Sequence, residues 1–142
     1  MSKPLSETLG EPLGEPLGEP LDAVRDLSDA FAARDLDAAL ACFAPGEHIG
    51  YAGSERDETA NGRDALTALL GKVFLRDEAY SWSVTTATVH RYGNQAYVFA
   101  EAEGRVRMDA GPEDDFPYRV SGMVELADGR WRWRHCQGGE PT

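Results

Sequence analysis

The sequence predicts an α+β domain in which helices cover one face of a curved antiparallel sheet. Apolar residues recur at helical spacing as far as Phe74, and from Ser81 onward they alternate with the period of a strand. Tight hairpin signals also separate the later segments, at Tyr92-Gly93-Asn94 and at Asp128-Gly129. Helices followed by a meander of long strands are typical of a sheet that is covered on one side.

The chain is predicted to consist of a tail, one domain and a short C-terminal extension. Residues 10–21 repeat Gly-Glu-Pro-Leu three times. A proline in every repeat excludes a helix, because it removes a hydrogen-bond donor and clashes with the preceding turn. We therefore expect a flexible tail over residues 1–20, a folded domain over residues 21–137, and a second tail over residues 138–142.

Three helices are predicted before the long strands. The first begins near Leu21, with Asp22 in the first turn, where the helix dipole favours an anion. The second is short, is capped by Asp35 or Asp37, and ends before Pro45. The third opens at Asn61 and Gly62 and presents one broad apolar face.

Six strands are predicted, two short and four long. The short strands flank a turn over residues 53–57 and occupy residues 48–52 and 58–60. The long strands are predicted over residues 81–91, 95–108, 118–127 and 130–137. Residues 109–117 join the middle pair and are acidic with Gly and Pro, so they are predicted to be a mobile loop.

Composition narrows the classes of partner. A net charge of −11 makes nucleic acid and anionic membranes poor partners. No run approaches the roughly 18 apolar residues of a membrane span, and no apolar signal region follows Lys3. Cys42 and Cys136 lie in no metal-binding spacing, so we expect reduced thiols in the cytoplasm. No phosphate loop, nucleophile elbow or metal cluster appears, so no cofactor and no metal are expected.

Three segments resemble the nuclear transport factor 2-like superfamily and, within it, the SnoaL-like domains of bacteria. They are residues 32–40 running into Phe43, residues 62–66, and residues 128–135. The resemblance covers residues 21–137. It implies a cone-shaped, curved antiparallel sheet wrapped around N-terminal helices, a cystatin-like roll with a mostly apolar pocket. It also implies a homodimer through the outer sheet face, and residues 97–100 are apolar on both faces, as such pairing requires.

The resemblance leaves the chemistry open, because the superfamily hosts isomerases, cyclases, epoxide hydrolases, dehydratases and non-catalytic modules. Its steroid isomerases carry a carboxylate base on the first strand, and the resemblance places Tyr51 at that position. Tyrosine is a poor base near neutral pH, so the isomerase mechanism lacks its usual group. The paired acids and arginine of the epoxide hydrolases are not found either.

Strand alternation places Trp131, Trp133, His135 and Gln137 on one face of the last strand. Two interpretations stay open. The face is either a pocket wall that stacks a flat ligand, with His135 transferring protons, or a core wall in which His135 bonds to a neighbour.

Glu58 is the second candidate for proton transfer. It lies near the predicted mouth of the cone, with His48 and Tyr51 on the adjoining strand. A Glu–His pair across these strands is either an acid–base pair or a surface ion pair. Tyr80 and Trp82 are predicted to form the lip of the pocket, and Tyr97 is also expected to contact ligand.

Glu101 and Glu103 share one face of their strand, and two interpretations remain. Buried carboxylates there would be functional, because a buried unpaired charge is costly. On an outer face they would instead pair across strands with Arg105 or Arg119.

The sequence thus predicts a protein that binds a small apolar or aromatic metabolite. The first hypothesis is a cofactor-free isomerase, cyclase or dehydratase that uses His135 and Glu58, with Tyr51, Trp82, Tyr97, Trp131, Trp133 and His48 contacting ligand. The alternative is a non-catalytic ligand-binding or dimerisation module of the same fold.

Overall fold

The structure, a computed structural model, describes residues 18–141 and has three helices on one side of a six-stranded sheet. The helices are α1 (Asp22–Ala33), α2 (Leu36–Ala41) and α3 (Arg63–Val73). The strands are β1 (Gly50–Ala52), β2 (Thr59–Asn61), β3 (Glu78–Tyr92), β4 (Gln95–Met108), β5 (Glu113–Ala127) and β6 (Arg130–Gly139). Most of the predicted repeat tail, residues 1–17, lies outside the described residues.

The sheet has the strand order β2-β1-β6-β5-β4-β3. Neighbouring strands are antiparallel except β1 and β6, which run parallel. The helices pack on the concave side, which we call the inner face, and the opposite side is the outer face. The α+β prediction, with helices on one side of a curved sheet, is confirmed.

Local sequence explains how the helices begin and end. Arg34 ends α1 in the left-handed conformation (φ 51°), and the chain turns directly into α2. Asp35 caps α2, because its carboxylate accepts a hydrogen bond of 3.1 Å from the backbone N–H of Ala38. Of the two predicted caps, Asp35 is therefore the one used.

Three tryptophans fix α1 to the inner face of the sheet. Each indole N–H donates to a backbone carbonyl in or just before the first half of α1: Trp82 to Val24 at 3.2 Å, Trp131 to Gly18 at 2.8 Å, and Trp133 to Ala23 at 3.0 Å. Buried indoles normally find such a partner. The position of α1 over the sheet therefore depends on these three rings.

A β-bulge interrupts the alternation of β6 at Arg134. Val124 pairs with Trp133 and Met123 pairs with His135, so Arg134 is the extra residue. Gly122, opposite the bulge, has a φ of 148°, and a Cβ there would collide with the carbonyl of His135. The bulge turns His135 and Gln137 to the outer face, so the prediction that they share a face with both tryptophans is wrong.

Residues 109–117 are mostly strand, which corrects the predicted mobile loop. β5 already begins at Glu113, and only a short turn precedes it. Pro117 is tolerated because β6 stops pairing with β5 after Arg119, so this stretch is bonded on one side only. The turn is held to α1 by Arg34, whose guanidinium lies 2.6 Å from the carboxylate of Asp109.

None of the helices within residues 18–141 is both long enough and apolar enough to span a bilayer.

Candidate functional site

Glu58 lies at the open end of the inner face, immediately before β2. Its side chain is only 13% exposed, and one carboxylate oxygen lies 3.5 Å from the guanidinium of Arg76. The other oxygen accepts a hydrogen bond of 3.2 Å from the backbone N–H of Glu55. The carboxylate is thus held in place by one long ion pair and one backbone donor.

Tyr51 lies deeper on the same face, in β1. It is 8% exposed, and its ring packs between Phe31 and Phe43 at centroid distances of 6.4 and 6.3 Å. Its hydroxyl has no hydrogen-bond partner within residues 18–141. An unsatisfied buried hydroxyl costs about 1–3 kcal/mol, so an oxygen atom of a ligand would be a favourable partner.

Tyr118 brings a second phenol to this place from β5. Its ring contacts those of Trp82 and Phe116, at centroid distances of 5.3 and 5.8 Å. A Cβ at Gly138 would collide with its hydroxyl, so the glycine makes room for the phenol. Tyr118 is half-buried, and it therefore connects the buried Tyr51 with the open end of the sheet.

Both phenols remain protonated over the physiological range. Burial raises the pKa of Tyr51, and the neighbouring Tyr118, Cys136 and Glu58 raise it further. Burial also raises the pKa of Tyr118, again with contributions from Cys136 and Glu58. Glu58 contributes to the rise of both pKa values, and its side chain lies on the same face of the sheet as both rings.

We call this region the mouth site and define it by Tyr51, Glu58, Arg76, Tyr80 and Tyr118. Two phenols that donate hydrogen bonds can hold a carbonyl oxygen and stabilise the negative charge that develops on it. A carboxylate beside them can remove a proton from a neighbouring carbon atom. The mouth site therefore contains the groups that cofactor-free acid–base catalysis needs.

Among the predicted site residues, Glu58, Tyr51 and Trp82 lie together on the inner face. Trp131 and Trp133 are buried in the core, 2% and 0% exposed, and their N–H groups bond to the α1 segment. This arrangement corresponds to the core-wall interpretation of the two rings.

The structure separates His135 and Tyr97 from Glu58. His135 is exposed on the outer face, and Tyr97, which is 40% exposed, lies in the same cross-strand row. The pairing of Glu58 with His135 as two proton-transfer groups at one site is therefore contradicted. Tyr97, which was expected to contact ligand, therefore lies on the opposite face of the sheet from Tyr51 and Glu58.

His48 is also found outside the mouth site. It lines an open depression of about 540 Å³ at the edge of the sheet, together with Glu47, Ile49, Gly50, Asn61, Gly62, Arg134 and His135. The predicted ion pair between Glu58 and His48 does not form, because the basic partner of Glu58 is Arg76. This depression brings two histidines together, but no buried carboxylate joins them.

Glu101 and Glu103 are exposed on the outer face, so the outer-face interpretation of these carboxylates is confirmed. Glu101 stands directly opposite Arg119 in the register of β4 and β5.

Tyr118 and Arg76 were not predicted as site residues. The aromatic and apolar residues of this segment alternate along β5, at Phe116, Tyr118 and Val120, which is typical of a strand with one buried face. Because the segment contains Pro117, the residues before Tyr118 were predicted to form a loop. For Arg76, the sequence contains no comparable signal, since its contact with Glu58 bridges residues 18 positions apart.

Within residues 18–141, no group of three or more His, Cys, Asp and Glu side chains is placed to hold a metal ion. Cys42 and Cys136 are buried free thiols. Burial raises the pKa of Cys42 to about 11, so its thiol stays protonated and unreactive near neutral pH.

A curved sheet with three helices on its inner face defines the architecture of a small α+β protein. A profile of the SnoaL-like domain family matches residues 21–139, and the chain belongs to this family. A comparison of the sequence with curated proteins gave no significant match.

Several solved structures have folds similar to that of this chain. A nuclear transport factor 2-like superfamily protein from Salmonella enterica serovar Typhimurium is 13% identical, with a TM-score of 0.70 over 85% of this chain and 87% of that one. A candidate scytalone dehydratase from Novosphingobium aromaticivorans is 16% identical, with a TM-score of 0.71 over 85% and 80%. A candidate calcium/calmodulin-dependent protein kinase type II association domain from Thiobacillus denitrificans is 19% identical, with a TM-score of 0.71 over 90% and 100%. At these identities, the similarity establishes the fold alone.

Proposed function

We propose that the protein is a cofactor-free acid–base enzyme, an isomerase, cyclase or dehydratase, that acts on a small metabolite bound at the mouth site. The observation that carries the proposal is the buried hydroxyl of Tyr51, which has no hydrogen-bond partner within residues 18–141 and lies on the same face of the sheet as the carboxylate of Glu58. A buried polar group without a partner is costly in a core, and such groups are typical of functional sites.

The mechanism assigns a separate role to each group. The Glu58 carboxylate removes a proton from the carbon next to a carbonyl group of the substrate. The Tyr51 and Tyr118 hydroxyls donate hydrogen bonds to the carbonyl oxygen as it becomes negatively charged. Return of the proton to a different carbon completes an isomerisation, and its transfer to a departing hydroxyl group completes a dehydration.

The role of Arg76 is to hold Glu58 in position. Its guanidinium is the nearest cation to the carboxylate, and the 3.5 Å contact keeps Glu58 on the inner face. Similarity to a candidate scytalone dehydratase supports the proposal at the level of fold, since that structure has the same architecture.

The proposal is tested without knowledge of the substrate by the Kemp elimination of 5-nitrobenzisoxazole. In this reaction a base removes the ring C–H proton, the N–O bond breaks, and a coloured cyanophenolate forms. We expect the protein to accelerate the reaction above an equal concentration of acetate. The Glu58→Gln variant should lower the rate about 10²-fold, the usual contribution of a positioned general base.

The matched control is Glu101→Gln, which removes a carboxylate from the exposed outer face. The proposal requires that this variant keeps the rate of the original protein. Equal rates for the original protein and Glu58→Gln would show that Glu58 is not a base and would overturn the proposal.

The alternative is a non-catalytic module of the same fold. Aromatic rings fill much of the inner face, with Phe31 in contact with both Phe74 and Trp82 at 5.1 and 5.2 Å. The fold similarity to a candidate association domain supports this alternative. Native mass spectrometry separates the two, since a co-purified metabolite lost on Tyr118→Ala favours the mouth site, and an empty oligomer favours the module.

We also propose a homodimer that forms through the outer face. Tyr97 and Val89 are exposed at 40% and 38%, and Phe99 and Met123 are half-buried at the surface of the sheet. Tyr97→Glu should convert the dimer to a monomer, as measured by light scattering during gel filtration.

Two buried free thiols are consistent with a reducing compartment, and we propose the cytoplasm as the place of action.

A further inference from the structure

Carboxylates from four parts of the sheet lie at the same end of the inner face as the mouth site. Glu78 shares the inner face of β3 with Tyr80 and Trp82, and Asp114 shares that of β5 with Phe116 and Tyr118, because side chains alternate along a strand. Glu58 and Glu140 stand at the corresponding ends of β2 and β6. These four residues, Glu58, Glu78, Asp114 and Glu140, form what we call the acidic rim.

Within residues 18–141, a single ion pair involves a residue of the acidic rim. The cation in this ion pair is Arg76, whose guanidinium lies 3.5 Å from the carboxylate of Glu58. Arg34 is occupied by Asp109 at 2.6 Å, and Arg105 binds Asp115 at 3.0 Å on the outer face. Arg56 lies in the exposed turn between Glu55 and Asp57. The field at the mouth site is therefore negative.

The titration of the phenols agrees with this charge distribution. Burial raises the pKa of Tyr80, Glu78 raises it further, and Arg76 offsets only part of the rise. For Tyr118, Glu58 and Glu140 add to the effects of burial and of Cys136. Carboxylates on β3 and after the end of β6 therefore both add negative charge at the mouth site.

Aromatic rings form the floor below the acidic rim. Tyr80 contacts Phe116 at a centroid distance of 6.4 Å, and Phe116 contacts Tyr118 at 5.8 Å. Aromatic faces attract organic cations, and carboxylates nearby strengthen that attraction. The buried hydroxyl of Tyr51 has no hydrogen-bond partner in the part of the chain that the structure describes, and this independent observation favours a ligand with a polar atom at this place.

We infer that the ligand of the mouth site is an organic amine, with its ammonium group at the acidic rim and an apolar, preferably aromatic, body on the ring floor. This inference rests on the proposed function and narrows its substrate class from apolar metabolites to cationic ones. It also gives the acidic rim a role that acid–base chemistry by Glu58 alone does not require.

The test compares three probes that share one aromatic body: 2-phenylethylammonium, 2-phenylethanol and phenylacetate. Binding of each to the full chain is measured by isothermal titration calorimetry at low and at high salt. We expect the ammonium probe to bind at least about tenfold more tightly than the alcohol, a difference of about 1.4 kcal/mol. Phenylacetate should bind most weakly, and salt should weaken only the ammonium complex.

Variants identify the source of the preference. Glu78→Gln and Glu140→Gln should each reduce the affinity for the ammonium probe several-fold and leave the affinity for the alcohol unchanged. Glu101→Gln on the outer face is the control and should change neither affinity. An equal loss for both probes would indicate a structural effect and would contradict the inference.

The outcomes separate this inference from the proposed function. If the alcohol or phenylacetate binds as tightly as the ammonium probe, the protein binds small aromatic ligands, but the inferred preference for a cationic ligand is wrong. If none of the three binds, both the inference and the ligand site on which it rests are overturned. Binding of the ammonium probe without Kemp activity would support the inference and contradict the enzyme.

Discussion

The two faces of the sheet divide the reactive residues in an unexpected way. The outer face carries His135, which is exposed and near His48, and histidine is the residue best suited to proton transfer at neutral pH. The inner face carries Glu58, Tyr51 and Tyr118, which are individually poorer catalysts, in a partly buried setting. We therefore base the proposed site on the burial and convergence of its groups and not on residue type alone.

The largest effect should come from the inner core. Trp133 is fully buried and bonds to the carbonyl of Ala23 at 3.0 Å, so Trp133→Ala removes both packing and a hydrogen bond that positions α1. We expect the free energy of unfolding to fall by about 3–5 kcal/mol. Urea denaturation measures this, with Glu101→Ala on the outer face as a control that should change stability by less than about 0.5 kcal/mol.

The second-largest effect should come from the β-bulge in β6, beyond which His135 and Gln137 face outward. Gly122 has a φ of 148°, and a Cβ there would collide with the carbonyl of His135 at the bulge. Gly122→Ala should therefore lower the free energy of unfolding by about 3 kcal/mol. Gly93→Ala, in the β3–β4 turn, is a useful comparison because it has a positive φ of 65° but no atom near the added Cβ. Equal losses for both variants would show that backbone strain alone, and not the bulge contact, is responsible.

Alkaline pH should weaken the buried region selectively. The pKa of Cys42 is raised from 9.0 to about 11, so the native state keeps its proton where the unfolded state loses it. The resulting stability is complete below about pH 9 and is lost as the pH rises towards 11, a change of about 3 kcal/mol. Stability curves for the original protein and Cys42→Ala, recorded between these limits, should converge as the pH rises. Parallel curves would contradict the assignment.

The smallest effect distinguishes function from stability at one residue. Tyr51→Phe removes a buried hydroxyl that has no partner within residues 18–141, so the protein should become about 1 kcal/mol more stable. The same variant should slow the Kemp elimination, because a donor to the developing negative charge is lost. A variant that is less stable and equally active would show that the hydroxyl has a structural partner.

Much of the fold could be predicted from the sequence, because the change from helical to strand periodicity after α3 is strong and local. Side chains could be assigned to the inner or the outer face only up to the bulge, where their alternation along β6 is interrupted. The bulge at Arg134 has no sequence signature, and a single extra residue reverses every later side chain. His135 was therefore predicted on the wrong face, although the strand itself was correctly located.

The site could be predicted in part. Glu58 and Tyr51 are near each other in sequence, and the turn between β1 and β2 brings them together. Tyr118 comes from a distant strand whose first residues were mistaken for a loop on account of Pro117. Contacts between distant segments, such as that of Arg76 with Glu58, depend on how α3 packs, and no local pattern indicates them.

The mouth site requires that ligands bind on the inner face and not in the depression beside His135. Chemical-shift mapping of the 15N-labelled protein with 2-phenylethanol, an uncharged probe, tests this claim directly. We predict shifts at the amides of Tyr51, Glu58 and Tyr118, with Gly50 and His135 unchanged. Shifts confined to Gly50, Asn61 and His135 would place the site on the outer face and contradict the account.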